Sequence, residues 1–435
     1  GGERVTPTLY FDELFSEAVE RFTDLDAVDH RRRPQAGGEG FSHQAMDVEP
    51  EPVETISQSS LNSYVNSPRD YFFSELLEEP DQARFVEGAL FHDFAEFYVD
   101  HPETVAEADI DELVELMLEE ASAFVDDHDR PLKRREFRIG LQTIKEYLDE
   151  NGPAGEAFLT GTTDWGENAF AAYFDEPVES PLTERWFEDP ERKLKGKVDL
   201  VAGPAHLLDY KSGSKTRATT VVKRAGTDPV ADVVNFQAAL YLTYYRQVQP
   251  GEPIDFTFFY FLEVMDDVIA GEADIADALT TVTYYPFTFE EYVASKAAFE
   301  VLLDGYQDCQ ATFEDLGYAT YNDIVSQLAI PETTDKAELR ASSFATAFTE
   351  AVAAETSADL DVEKGVDQAI RALNTVRKQN FFREDLDAFE TFVEERVAEL
   401  NHRLAGAERF PVQGPGGEPN ERRLDNPDLL LEGQR

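Results

Sequence analysis

Two apolar runs, GKVDLV (196–201) and LLDYKSG (207–213), joined through Gly203-Pro204, restrict the fold more than any other stretch. Short apolar runs separated by a turn dipeptide read as an antiparallel strand pair. Side chains alternate along a strand, so Asp209 and Lys211 project from one face, and Asp199 sits on the neighbouring run. Two carboxylates and one ammonium can converge there.

The surrounding sequence supplies a frame. From about Phe170 the apolar period shifts toward two, through AAYFDEPVESPLTERWFED, KLKGKVDLVAG and HLLDYKSG, which predicts three successive strands. A helix is expected over about 231–247, carrying Phe236, Gln237, Leu240, Tyr241 and Tyr244, and FTFFYFLEV (256–264) reads as a fourth strand buried on both faces. Upstream, Ser59 or Ser60 can cap a helix with Leu61, Tyr64 and Val65, and Pro68 can open the next, with Tyr71 and Phe72. A helix from about Gln82 to Tyr98 stacks Phe85, Ala89, His92 and Glu96 on one face, and Gly88, one turn before His92, would let another backbone approach. Taken alone, a histidine on such a face is more often a hydrogen-bonded core residue than a ligand. Residues 103–150 and 286–404 carry helical stripes, among them Leu386, Phe389, Val393, Val397, Leu400 and Leu404. A helix at about 8–24 and a linker around 30–40, with the triple arginine 31–33, precede all of this.

Composition sets bounds on function. The 435 residues, 42% hydrophobic, are ample for a core, yet the formal net charge is −51 and the pI near 4.3. The acids are spread through amphipathic segments, which fits a folded chain with a surface adapted to very high salt, as in a haloarchaeal cytoplasm or one of its viruses. The single cysteine, Cys309, leaves no internal disulfide and no cysteine-ligated cluster made by this chain alone. No run approaches the ~18 apolar residues of a membrane helix, and no signal peptide opens the sequence, so a soluble, cytoplasmic protein is expected. A start at Gly-Gly without methionine fits a processed chain or a piece of a longer one. No Gly-rich loop of an NTPase motor is visible.

Against this acidic background, residues 191–224 hold nine bases (Arg192, Lys193, Lys195, Lys197, Lys211, Lys215, Arg217, Lys223, Arg224) and three acids (Glu191, Asp199, Asp209), a balance of 9 − 3 = +6. The rest of the chain then carries −57. A basic island around two carboxylates points to an anionic ligand, with a phosphate backbone the common candidate. Lys193, Lys195, Lys197, Lys215, Arg217, Lys223 and Arg224 are the expected nucleic-acid contacts.

In order and spacing, a helix with G-x-x-x-H, a strand with G-K-V-D-L-V, a strand with D-Y-K and a helix with Q-A-A-L-Y resemble the RecB/AddB-like branch of the PD-(D/E)XK nuclease superfamily, over about 57–265. The upstream SLNSYVNSPRDYFF is similar to that branch's leading motif, with Ser67 where a cysteine often precedes the proline. The resemblance implies an α/β fold: a restriction-endonuclease-like core of helix, three strands, helix and strand with flanking helical layers. It divides the chain into an N-terminal helix and linker (1–50), a core with a helical insert (51–300), a helical region (301–408) and a Pro/Gly-rich tail (409–435).

By the same resemblance His92, Asp199, Asp209 and the carbonyl of Tyr210 would hold a divalent cation, Mg²⁺ or Mn²⁺, and Lys211 would position or activate the water. Gln237 and Tyr241 would line the site or meet the DNA, and an acid of the first strand often joins; Glu184 and Glu179 both qualify, with Glu184 preferred. Many relatives carry a four-cysteine iron–sulfur staple; this chain keeps a Phe-Pro at 410–411 but none of the cysteines, so no iron–sulfur cluster is expected. The implied activity is a metal-dependent DNA nuclease, an exonuclease on single strands acting in repair or recombination with a fused or associated helicase. The alternatives are a catalytically inactive module of the same fold that binds DNA or scaffolds a helicase, and an acidic interaction protein in which D-x-K is coincidence.

Overall fold

The computed structural model describes residues 51–76, 83–126, 128–153, 168–263, 274–427 and 430. The expected helix at 8–24 and the linker with its arginines lie outside them. Helix α1 (Gln58–Asn66) starts where the extended residue Ile56 bridges Leu194, so the cap is Ser57, whose hydroxyl accepts from Ser60 N–H at 3.2 Å. Ser59 and Ser60 are inside the helix, contrary to expectation. Pro68 opens α2 (Pro68–Leu76) as expected. α3 (Ala83–Asp100), α4 (Pro102–Glu107), α5 (Ile110–Glu120) and α6 (Arg130–Asn151) follow. α3 and α6 meet at Gly140, where any Cβ would lie 2.2 Å from Phe91. Gly88 plays no such part: space beside it is open, because it faces a cleft.

The first expected strand begins later than the period suggested. Residues Ala169–Phe174 form α7, because Asn168 Oδ1 accepts from the N–H groups of Phe170 and Ala171 at 3.0 and 3.1 Å, and alanine favours the helix. The sheet then runs β1 (Thr183–Asp189), β2 (Leu194–Gly203) and β3 (His206–Tyr210), all antiparallel neighbours. Two helices cross over, α8 (Ala218–Arg224), which was not expected, and α9 (Gln237–Val248). α9 starts six residues later than predicted, since the Phe236 N–H is taken by Asn62 Oδ1 at 3.0 Å and that of Gln237 by Asn235 Oδ1. The crossover makes β4 (Ile254–Phe259) parallel to β3. Two further strands extend the sheet, β5 (Leu279–Tyr285), antiparallel to β4, and the two-residue β6 (Phe381–Phe382), giving the order β1-β2-β3-β4-β5-β6.

Helices α10 (Phe289–Val293), α11 (Lys296–Leu303), α12 (Gln307–Leu316), α13 (Tyr318–Val325), α14 (Lys336–Ala341), α15 (Ser343–Glu355) and α16 (Val362–Gln379) pack around their own apolar cluster, which buries Cys309. α17 (Arg383–Leu404) joins a different cluster: its expected stripe packs with α9 and α1 on one face of the sheet, where Phe236 meets Phe389 and Phe392. The opposite face is covered by α3, α5 and α6 around Leu200, Leu208, Tyr210 and Phe259. The fold is thus α/β with helical layers on both faces, the expected class enlarged by two strands. No described helix is long and apolar enough to cross a membrane.

After α17 the chain returns as a strap across α1 and α2. Phe410 stacks on Phe72 at 4.6 Å, and the carbonyls of Phe410 and Pro411 accept from Arg69. At Gly414 a Cβ would fall 1.8 Å from the Val65 carbonyl oxygen. Buried Asp70 receives the N–H groups of Asp425 and Asn426 at 2.9 and 2.8 Å. Hydrogen bonds to an ionised acceptor contribute about 1.5–3 kcal/mol each. Asp70→Ala therefore lowers stability by about 3 kcal/mol and opens 410–427 to limited proteolysis; an unchanged urea midpoint and cleavage pattern would show that the strap is not held there.

Candidate active site

The site forms where α3 crosses the ends of β1, β2 and β3. Thr183 pairs with Leu200 and Arg185 with Val198, so Glu184 stands opposite Asp199 across the ladder. Glu184, the second residue of β1, has a left-handed backbone, φ 48°. Such a conformation costs a side-chain-bearing residue about 1–2 kcal/mol, and strain of this kind collects at functional sites. From α3, His92 Nδ1 reaches Glu184 Oε1 at 3.3 Å and Asp199 Oδ2 at 3.5 Å. One ligand atom from each of His92, Glu184 and Asp199 lies within 4.8 Å of the others.

The other expected residues surround this trio. Asp199 Oδ2 accepts the Tyr210 N–H at 2.9 Å, and the Tyr210 ring meets His92 edge-on. Asp209, also buried, has partners outside the trio: Gln237 Nε2 donates to its Oδ1 and Lys211 Nζ pairs with its Oδ2. Lys211 follows the last residue of β3, and its N–H continues the ladder to the Phe259 carbonyl. Gln237 and Tyr241 are buried behind the strands and do not line the cleft. Tyr241 donates its hydroxyl to the Lys197 carbonyl at 2.8 Å, and its ring fills the space that the missing Cβ of Gly196 leaves, with a distance of 2.7 Å to where that atom would be. Glu179 lies before β1 and accepts nothing from the trio; its N–H donates to Asp100.

The electrostatics follow from burial of like charges. Burial pulls the His92 imidazolium down, but Asp199 and Glu184 outweigh it and push it up to about 9. Burial raises Asp199, with Asp209 and Glu184 adding to it against His92, to about 7. Burial would also raise Glu184, but His92 and Lys197, whose Nζ pairs with it, bring it below the usual range. Desolvation of the half-buried Lys211 would lower it, yet Asp209 and Asp199 hold it above the usual range. Two carboxylates and an imidazole held together, one carboxyl forced toward neutrality, form a donor set that fits a divalent cation.

The trio opens onto a cleft of about 1070 Å³, whose lining includes Lys197, Lys211, Ser212 and Gly213 together with Gly88, Asp93, Glu96, Asp175 and Glu176. This differs from the basic surround that the sequence suggested, since only two of the expected cations line the cleft. Lys193 and Lys195 instead hold the bridge to Ile56 through their backbones, and Lys215 Nζ donates to the Asp277 carbonyl. Arg217, Lys223 and Arg224 flank or belong to α8. Sequence reasoning missed the acidic wall; Asp93 and Glu96, one and four residues after His92, were its legible part.

Residues 55–316, more than half of the chain, match the family model of the PD-(D/E)XK nuclease superfamily. No curated protein matches the chain, and no solved structure does.

Metal-free stability should fall as pH rises. The proton that the fold favours on His92 adds stability fully present below about 6.5 and lost as pH climbs through about 9. Asp199, raised to about 7, weakens the metal-free fold as it ionises above its ordinary value of 3.8. Both slopes have one sign, so the thermal midpoint in EDTA drops between pH 6 and 9 while Mn²⁺ restores it. Asp199→Asn should raise the EDTA midpoint at pH 8 and abolish the rise with Mn²⁺; a wild-type midpoint indifferent to pH and metal would remove the cation site.

Proposed function

The chain belongs to the PD-(D/E)XK nuclease superfamily, and from that premise we propose that it is a metal-dependent DNA nuclease of the RecB-like branch, cutting single strands from an end in repair or recombination beside a helicase. The observation that carries activity over passive binding is the trio His92, Glu184 and Asp199, two of which line the same cleft as Lys211. Facing carboxylates beside a phosphate hinder a module that only binds. They are useful to one that holds a cation.

His92, Glu184 and Asp199 would hold the cation, with Mn²⁺ suited at least as well as Mg²⁺ because one donor is imidazole. When bound, that cation supplies charge neutralisation at the scissile phosphate and a more acidic water. The chain's own residues do the rest. Lys211 stays protonated beside Asp209, so its role is to hold the attacking water and steady developing negative charge, and a role as base is disfavoured. Gln237 fixes the Asp209 carboxylate, which in turn fixes Lys211. Tyr241 sets the β2 backbone at Lys197, two residues from Asp199. His92 must release a proton for the cation to bind, which makes metal affinity rise with pH. The absence of iron–sulfur cysteines leaves this chemistry untouched, and the −51 charge fits work in molar salt.

The test incubates end-labelled single- and double-stranded DNA with the protein in molar KCl with Mn²⁺, Mg²⁺ or EDTA. Cleavage is expected with a divalent cation only. Asp199→Ala and Lys211→Ala should each lower kcat by about 10²–10³, the usual loss for a group that stabilises developing charge. Equal, negligible cleavage under all three conditions would sink the enzyme reading, and full activity in either variant would move the site elsewhere.

A further inference from the structure

The cleft lining draws its acids Asp93 and Glu96 from α3 and Asp175 and Glu176 from the end of α7 and the residue after it, and its cations Lys197 and Lys211 from β2 and the residue after β3, with Glu184 of β1 paired to Lys197. Three of the acids are anchored. Asp93 accepts from the Ala169 N–H at 3.2 Å and Glu96 from Asn168 Nδ2 at 2.9 Å. Glu176 accepts from Thr104 Oγ1 at 2.9 Å and lies 3.3 Å from His101 Nδ1. Asp175, exposed, ends α7 in a left-handed conformation, φ 56°. The three anchored carboxylates cannot simply swing aside when an anion enters.

After Lys211, the cleft-lining Ser212 and Gly213 lead to exposed Arg217 and, on α8, exposed Lys223. Neither makes an ion pair among the described residues. The chain has 89 acids to 38 lysines and arginines. The basic stretch of α6 is used differently: Arg130 and Arg134 pair with Glu115, Lys133 with Glu87 and Arg138 with Asp111. Cations kept apart from the acids beside a phosphate-cutting site are available to a phosphate backbone.

We propose that a single nucleic-acid strand leaves the cleft across Ser212–Gly213 and runs over Arg217 and Lys223, and that the anchored carboxylate of Glu176, with that of Asp175 beside it in sequence, turns away the second strand of a duplex. The inference rests on the nuclease reading and adds to it the side of approach and the residues that select one strand. A strand held from one side only keeps its other face clear of the acidic wall. A duplex in the same register brings a second row of phosphates toward that wall.

The test compares Arg217→Ala/Lys223→Ala, Asp175→Asn/Glu176→Gln and a charge control, Glu355→Gln/Asp359→Asn, at exposed acids that end α15 and precede α16. Binding of a labelled single strand and of its blunt duplex is followed by fluorescence anisotropy in EDTA, at the lowest salt that preserves the folded circular dichroism. Cleavage is followed separately in Mn²⁺. The cation variant is expected to weaken single-strand binding about tenfold and to reduce the salt slope by about 1–2. The acid variant is expected to raise duplex binding relative to single-strand binding roughly fivefold, as for two like charges removed near a phosphate row. The control should leave that ratio alone. A duplex-to-single ratio that the acid variant leaves unchanged, or that the control shifts equally, overturns the wall; undiminished single-strand binding in the cation variant overturns the path. These binding ratios without cleavage in Mn²⁺ would uphold this inference and remove the nuclease reading, and cleavage without the ratios would do the reverse.

Discussion

Burying Asp199 against Glu184 is the costly contact on which the rest of this structure depends. Two carboxylates on neighbouring strands held against one imidazole, where water scarcely reaches, repel each other unless a proton or a cation intervenes. In the metal-free chain His92 supplies the compensating charge from α3 and Lys197 supplies more from β2. That compensation is labile, because a histidine proton can leave and a lysine side chain can turn. A site that is stable only while something positive sits in it is what a cation-dependent reaction needs.

Holding such a site in shape requires rigid neighbours, and these form a continuous series. Asp209 is fixed by Gln237, the first residue of α9, whose start is set by Asn62 of α1. α1 and α2 are in turn clasped by the C-terminal strap, with Gly416 also lying against Val230 in the loop that enters α9. In the branch that the leading motif resembles, a cysteine often stands before the proline that opens α2. Here Ser67 stands at that position, buried, with its hydroxyl accepting from the Asp70 N–H, and the joint is made by a carboxylate and backbone amides. Hydrogen bonds of this kind tolerate a reducing compartment and need no cluster assembly.

The strand pair, the crossover helix and the chemistry-bearing residues were legible because each leaves a local mark. Gly203-Pro204 announces the turn, alternation sets the face of Asp209 and Lys211, and three-to-four spacing places His92 and Glu96 together. β5 left such a mark too, since Thr280, Val282 and Tyr284 are buried between more exposed neighbours, but its threonines read as polar. α7 was illegible for a different reason: its six residues hold too little sequence to show a period, and Asn168 decides the outcome through one capping oxygen. β6, two residues long, exists only because α16 and α17 deliver Phe381 and Phe382 to the sheet edge. The orientation of Asp209 was equally beyond the sequence. A D-x-K pattern says that the carboxylate and ammonium share a face, and it cannot say that Gln237 and Lys211 together occupy that carboxylate.

The extreme surface charge sharpens how the basic stretches should be read. In a neutral protein the two basic stretches, 130–138 and 191–224, would look alike from sequence. The structure separates them by what each cation meets. Arg130, Lys133, Arg134 and Arg138 are spent on tying α6 to α3 and α5, whereas Lys197 and Lys211 line the cleft and Arg217 and Lys223 face solvent. Solvent-exposed charges interact only within a Debye length of about 3 Å at 1 M salt, so in such a medium long-range attraction of an anion fails. What remains effective is contact: cations and carboxylates already in place, at fixed positions, when a phosphate arrives. At such salt, anchoring matters more than net charge, and the partly buried groups that line the cleft are screened less than charges facing solvent.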